Sequence, residues 1–248
     1  MNYSIEQLKN MIENENRLPP DFDQWNLIVD EEGFTIAHLA AKHNCLLPNF
    51  NQWDLANKSG RTIAHEAAYY NYLPSDFNQW DLVTEYGWSV AHVAASKGHL
   101  PPDFDRWYLR DNDERTVAHI AARYGHLPLD FDRWYLRDKD GLTVAHEAAY
   151  YGHLPSDFSQ WELANSTGWT VAHTSASHGY LPANFNQWEL ANSTKWTVAH
   201  EAAEYGYLPL NFNQWELVNK FGNTVAQVAY NTGYLPPDFD RWDLIKKR

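Results

Sequence analysis

The chain has 248 residues, a formal net charge of -13 at neutral pH, 44% hydrophobic residues and 15% aromatic residues. That is ample material for a core, while the acidic balance repels phosphate backbones and argues against nucleic-acid binding. A single cysteine, Cys45, excludes an intramolecular disulfide and suits a reducing compartment.

Residues 1–10 are polar and lack the apolar stretch of a signal peptide, and no run approaches the ~18 apolar residues of a membrane span. The expectation is therefore a cytoplasmic protein with no membrane partner. Residues 1–34 read as an N-terminal capping half-repeat that carries Phe22, Trp25 and Asn16 but replaces the recurrent tetrapeptide with Gln7-Leu8-Lys9-Asn10. From there a 27-residue unit recurs, marked by Thr35, Thr62, Ser89, Thr116, Thr143, Thr170, Thr197 and Thr224. In the same frame a Phe recurs from Phe50 to Phe239, with a Trp three residues later from Trp53 to Trp242. Residues 35–223 read as seven such repeats and residues 224–248 as a C-terminal capping repeat, where Gln227 and Tyr230 replace the usual His and Ala and Lys246-Lys247-Arg248 follow. Fixed-period self-similarity of this length predicts an all-α, elongated solenoid of stacked helix–turn–helix repeats forming one continuous domain.

One repeat shows the construction. Thr143 is an N-cap, and Val144, Ala145, Ala148 and Ala149 give one small apolar face at helical spacing. Gly152 stops this first helix after about eight residues; only Gly or Asn occupies that slot, as a left-handed C′ position requires. Leu154-Pro155 connects to a second, shortened helix expected to open at Asp157, with Gln160 completing a capping box and Phe158 and Trp161 on one face. Asn165 to Gly168 forms a turn, which also explains the glycosylation-like patterns at Asn57, Asn165 and Asn192. Helices this short are marginal alone, so stacking has to stabilise them.

The run from Asp140 to Leu154, with its Asp-Gly turn, Thr-Val-Ala-His, Ala-Ala and Gly-His-Leu, resembles the ankyrin repeat, as a short 27-residue variant. The resemblance covers residues 31–248. It implies a structural row of histidines bonding turn backbone: His38, His65, His92, His119, His146, His173 and His200. It also implies a concave binding face near the turn tips. Similar repeat arrays occur in proteins that bacteria deliver into host cells, which adds an untested second location. Glu114 and Lys195 replace the turn Gly, so those two turns are expected to differ.

Metal binding by the histidine row is excluded on geometry, because stacked helices ~8–10 Å apart cannot share one ion with ~2.0–2.1 Å bonds. His65-Glu66, His146-Glu147 and His200-Glu201 begin like a zincin motif, but Tyr69, Tyr150 and Glu204 stand where the second His belongs. No catalytic constellation and no cofactor site are expected. Arg106, Arg110, Arg115, Arg123, Arg133 and Arg137 read as a solvated patch or as the landing site of an acidic partner.

Three tryptophans fall outside the Phe–Trp frame: Trp88, Trp169 and Trp196 share the slot before the Thr/Ser with Phe34, Arg61, Arg115, Leu142 and Asn223. A second variable slot, on the first helix, holds Leu39, Glu66, Val93, Ile120, Glu147, Thr174, Glu201 and Val228, and a third set includes Tyr69, Tyr70, Tyr124, Tyr150, Tyr151 and Tyr205. Trp and Tyr are favoured interface anchors, or else cover the edges of neighbouring repeats. The reading is a non-enzymatic, monomeric scaffold for a protein partner, bound through Trp88, Trp169, Trp196, Leu142, Arg115, Glu66, Glu147, Glu201, Tyr69 and Tyr150. The rivals are a small-ligand or glycan platform, a structural spacer, and an enzyme.

Overall fold

The computed structural model describes residues 3–246; Met1, Asn2, Lys247 and Arg248 lie outside it, and with them the last two residues of the basic C-terminal end. Among the described residues the fold is all-helical. Among these residues there are nine α-helices and no strand, and the last eight start at 27-residue intervals: α1 Ile5–Glu15, α2 Ile36–Lys42, α3 Ile63–Tyr70, α4 Val90–Lys97, α5 Val117–Tyr124, α6 Val144–Tyr151, α7 Val171–His178, α8 Val198–Tyr205 and α9 Val225–Thr232. The chain divides into two bodies, residues 1–128 and 129–248. In the first, α1 to α5 pack successively; in the second, α6 to α9 do.

An eight-residue helix has almost as many orphan N–H groups as internal bonds, so its existence depends on where those groups go. In α7 every one at the N-terminus is met. Val171 N–H donates to Leu163 O at 2.9 Å and Ala172 N–H to Trp161 O at 3.2 Å. His173 N–H donates to Thr170 Oγ1 at 3.3 Å, and Thr170 N–H donates to His173 Nδ1 at 3.3 Å. This is a capping box in which histidine stands at N3 in place of the usual Glu or Gln. At the other end Gly179 takes the left-handed conformation, and Tyr180 N–H closes the last turn onto Ser175 O. The alanines on the inner face are wholly buried, which lets successive first helices approach closely.

The second helix is absent. Asp157 makes no hydrogen bond to the Gln160 N–H, and the segment is two successive tight turns, Phe158 N–H to Pro155 O at 3.0 Å and Leu163 N–H to Gln160 O at 3.2 Å. One 3-10 turn, Trp242–Leu244, is the nearest equivalent among the described residues. The reason is competition for carbonyls. Trp161 O and Leu163 O point outward to cap the following helix, and in a helix of their own they would lie along its axis. The five residues between Pro155 and Trp161 are also too few to offset helix nucleation.

The turns build an aromatic zipper along one edge. Trp161 meets Phe158 of its own repeat edge-to-face at 5.1 Å and Phe185 of the next at 5.5 Å. In the first body Trp25, Phe50, Trp53, Phe77, Trp80 and Phe104 continue the same alternation. Such pairs contribute roughly 0.5–1.5 kcal/mol each beyond their burial. Not every frame tryptophan is core, however. Trp25, Trp80, Trp107, Trp134 and Trp161 are buried, Trp53, Trp188 and Trp215 are half-buried, and Trp242 is 59% exposed.

At the N-terminus Ser4 and Gln7 form a capping box on α1, which turns Leu8 and Ile12 inward against α2 and leaves a polar outer face. At the other end Gln227 accepts the Lys246 N–H on Oε1 at 2.6 Å, and Thr224 Oγ1–H donates to Leu244 O at 2.9 Å.

Candidate interaction surface

The turn before the Thr is built on an Asx side chain, except before Ser89, where Thr84 stands in its place. Asn192 Oδ1 accepts from Thr194 N–H at 2.9 Å, Thr194 Oγ1–H at 2.7 Å and Trp196 N–H at 3.1 Å. Asn57, Asp111, Asp138, Asn165 and Asn219 do the same in their turns. The turns of Glu114 and Lys195 do not differ from the rest: both residues adopt the left-handed φ, 57° and 58°, that Gly supplies elsewhere, because the Asx bonds over-determine the conformation.

The histidine row links neighbouring repeats. His65 Nε2 bonds Trp88 O at 3.0 Å and His92 Nε2 bonds Arg115 O at 3.2 Å; His146, His173 and His200 reach Trp169, Trp196 and Asn223 in the same way. His38 reaches Arg61 O, and His119 Nδ1 accepts the Thr116 N–H. A backbone N–H only donates and a carbonyl only accepts, so Nδ1 is bare and Nε2 carries the proton: these imidazoles are neutral. Burial lowers the pKa of His38, His65, His92, His146, His173 and His200, for His65 and His173 to about 4, outweighing the carbonyl bond that favours the charged form. Among the described residues no group of three or more His, Cys, Asp or Glu side chains is placed to hold a metal ion.

The carbonyls held by the row belong to the first variable slot. Trp88, Trp169 and Trp196 are half-buried, and each indole lies beside the ladder histidine of its own repeat, at 6.1, 4.9 and 5.2 Å between ring centroids. Trp196 also packs against the apolar cluster that includes Ala199, Ala203, Val225 and Val228. The structure also brings together two slots that are separate in the sequence. The residue before the Thr reaches the residue five positions on: Arg61 Nε is bonded to Glu66 Oε1, and Trp196 Nε1 donates to Glu201 Oε2 at 2.8 Å. Spacing alone does not show this pairing, though the recurrence of both slots in one frame was available as a signal.

Glu66 and Glu201 are therefore buried, and Glu147 is half-buried. Desolvation raises the Glu201 carboxyl to about 7, against the Trp196 hydrogen bond and with the help of Glu204. Arg115 is held by Asp111 at 2.8 Å. Leu142 is half-buried. Tyr69 is exposed, packs edge-on to Tyr70 and carries the Lys97 ammonium 4.1 Å from its ring; Tyr150 is exposed against Tyr151 and His178. Of the mid-chain arginines, Arg110 bonds Glu114 O, Arg137 bonds Gly141 O and Ala164 O, and Arg133 lies 3.9 Å from Asp132, so these three brace turns and neighbours.

In the first body the paired slots line a cleft of about 530 Å³ between α2 and α3, walled by Phe34, Leu39, Arg61, Glu66, Tyr69 and Tyr70. A second cleft of about 410 Å³ adjoins it at Arg61 and includes Trp88 and Val93. No protein-family model matches this sequence, and no curated protein matches it. No helix among the described residues is long and apolar enough to cross a membrane.

Proposed function

We propose that this chain is a non-enzymatic, ankyrin-like recognition scaffold that binds a protein partner on the surface that, within each body, the residue before each Thr and the fourth residue of each helix form. One observation supports it above the others: these two slots vary from repeat to repeat and touch each other at Arg61–Glu66 and Trp196–Glu201, while the histidine-to-carbonyl bonds of the frame beneath them recur. A frame so heavily hydrogen-bonded presents its side chains preorganised, which reduces the entropic cost of binding. Trp88, Trp169 and Trp196 serve as half-exposed anchors, and Tyr69, Tyr150, Leu142 and Arg115 supply further contacts. The clefts in the first body support side-chain capture from an extended segment of the partner. The lone Cys45 suits a reducing, cytoplasmic setting, and the chain acts as a monomer on its partner.

The test is selection of a displayed peptide library on the full chain, followed by affinity measurement on the triple variant Trp88→Ala, Trp169→Ala, Trp196→Ala. The selected peptides should lose at least ~tenfold in affinity while circular dichroism stays helical. Retained affinity in a folded triple variant refutes the reading.

A further inference from the structure

The fold displays what a glutamate at the fourth helix position takes when it is supplied. Glu66 receives the guanidinium of Arg61 from the adjoining slot. In the second body the same two slots hold Glu201 and Trp196. Here the indole N–H satisfies Oε2, Oε1 takes no hydrogen bond, and no Lys, Arg or His among the described residues forms an ion pair with the carboxylate, although it is only 4% exposed. Its surroundings are anionic and aromatic. Glu204 and Tyr205 follow on α8; α7, packed against it, offers His173 and His178; α9, on the other side, holds no charged residue. Helices α6 to α9 contain Glu147, Glu201 and Glu204 and no Lys or Arg. Lys195, the residue before Trp196, makes no ion pair with Glu201.

We propose that Trp196, Glu201 and Glu204 form a receptor for a cationic side chain, an arginine guanidinium in particular, presented by a basic segment of the partner protein. This deepens, and rests on, the recognition reading above. Trp196 occupies the slot from which Arg61 reaches Glu66, so the incoming guanidinium takes the other carboxylate oxygen, donating to Oε1 while its plane lies against the indole face. The Glu201 carboxyl, held near neutrality by burial, ionises as the cation arrives, so affinity rises with pH until the free carboxyl is already ionised.

The probe is a fluorescein-labelled peptide of arginines spaced by Gly and Ser, with its citrulline isostere as control, titrated with the full chain by fluorescence anisotropy. The arginine peptide should bind about tenfold tighter near pH ~8 than near pH ~6. The citrulline peptide should bind at least ~tenfold more weakly. Glu201→Gln should cost the arginine peptide ~tenfold or more and flatten its pH dependence, whereas Glu31→Gln, an equal charge change in an exposed turn, should cost less than ~twofold. Equal losses in the two variants, or no binding of the arginine peptide, overturns the receptor. Library selection separates the two levels: enriched peptides that need the tryptophans but are not basic sink the receptor alone, and peptides indifferent to the tryptophans sink the recognition reading with it.

Discussion

Acid should loosen this protein through its histidine row. Each imidazole holds a backbone N–H on its bare nitrogen, so a proton there displaces that bond, and burial opposes the added charge. His65 and His173 stand at about 4 in the fold, against ~6.5 in an unfolded chain. Between those values the unfolded state binds more protons. The stabilisation is whole above pH ~6.5, drains away as pH falls toward ~4, and is flat below. From pH ~7 to ~5 each of these two residues gives up about 2 kcal/mol. His38, His92, His146 and His200 shift in the same direction for the same reason. Glu201 runs the other way: its raised carboxyl gains stability as pH drops from about 7, by an amount that offsets about one histidine. The net loss is measured by urea denaturation at pH ~7 and ~5, followed by far-ultraviolet circular dichroism. His173→Gln sharpens the experiment, because Gln227 shows that an amide is accommodated at this position and an amide does not titrate. The variant should lose ~2 kcal/mol less than the parent over the same interval. Identical losses in the two proteins would refute the neutral, Nδ1-accepting assignment.

The frame makes further predictions. Glu114→Gly and Lys195→Gly should each stabilise by ~1 kcal/mol, since both residues sit in the left-handed region, and this is read as a rise in melting temperature. Ser175 is wholly buried with its hydroxyl unpartnered, in a slot that is alanine in the other repeats; Ser175→Ala should raise stability by ~1 kcal/mol or more in the same assay. Gly206 combines a left-handed φ of 78° with the Tyr234 ring 2.7 Å from where a Cβ would lie. Gly206→Ala should therefore cost ~2 kcal/mol or more; a cost of only ~1 kcal/mol, that of the left-handed backbone alone, would show that the ring moves aside freely.

Much of the fold was legible because the repeat samples each position many times. The N-cap Thr, the Gly or Asn stop and the buried alanines all follow from side-chain chemistry that is local to one helix. The absence of the second helix has a physical reason. Asp157, Phe158, Gln160 and Trp161 satisfy the helical pattern, but the carbonyls of Trp161 and Leu163 are claimed by the next repeat, and a pattern local to one segment does not register that claim. The turns at Glu114 and Lys195 depart in the opposite sense: residue type suggests a change, and the Asx hydrogen bonds hold the shape regardless. Within the candidate surface, variability marked the slots, but their pairing across Arg61–Glu66 and Trp196–Glu201 depends on how the turn folds back over the helix. Burial of Glu66 and Glu201, exposed in a simple reading of helix faces, has the same origin.

The central claim is that the frame and the recognition slots are different sets of atoms. Hydrogen–deuterium exchange of the full chain, with and without a library-selected peptide, tests it most directly. The account predicts new protection at residues 88–93, 169–174 and 196–201, where slot and helix meet, and none along the Phe–Trp edge. Protection confined to that edge, at segments such as 103–107 or 157–161, would contradict it.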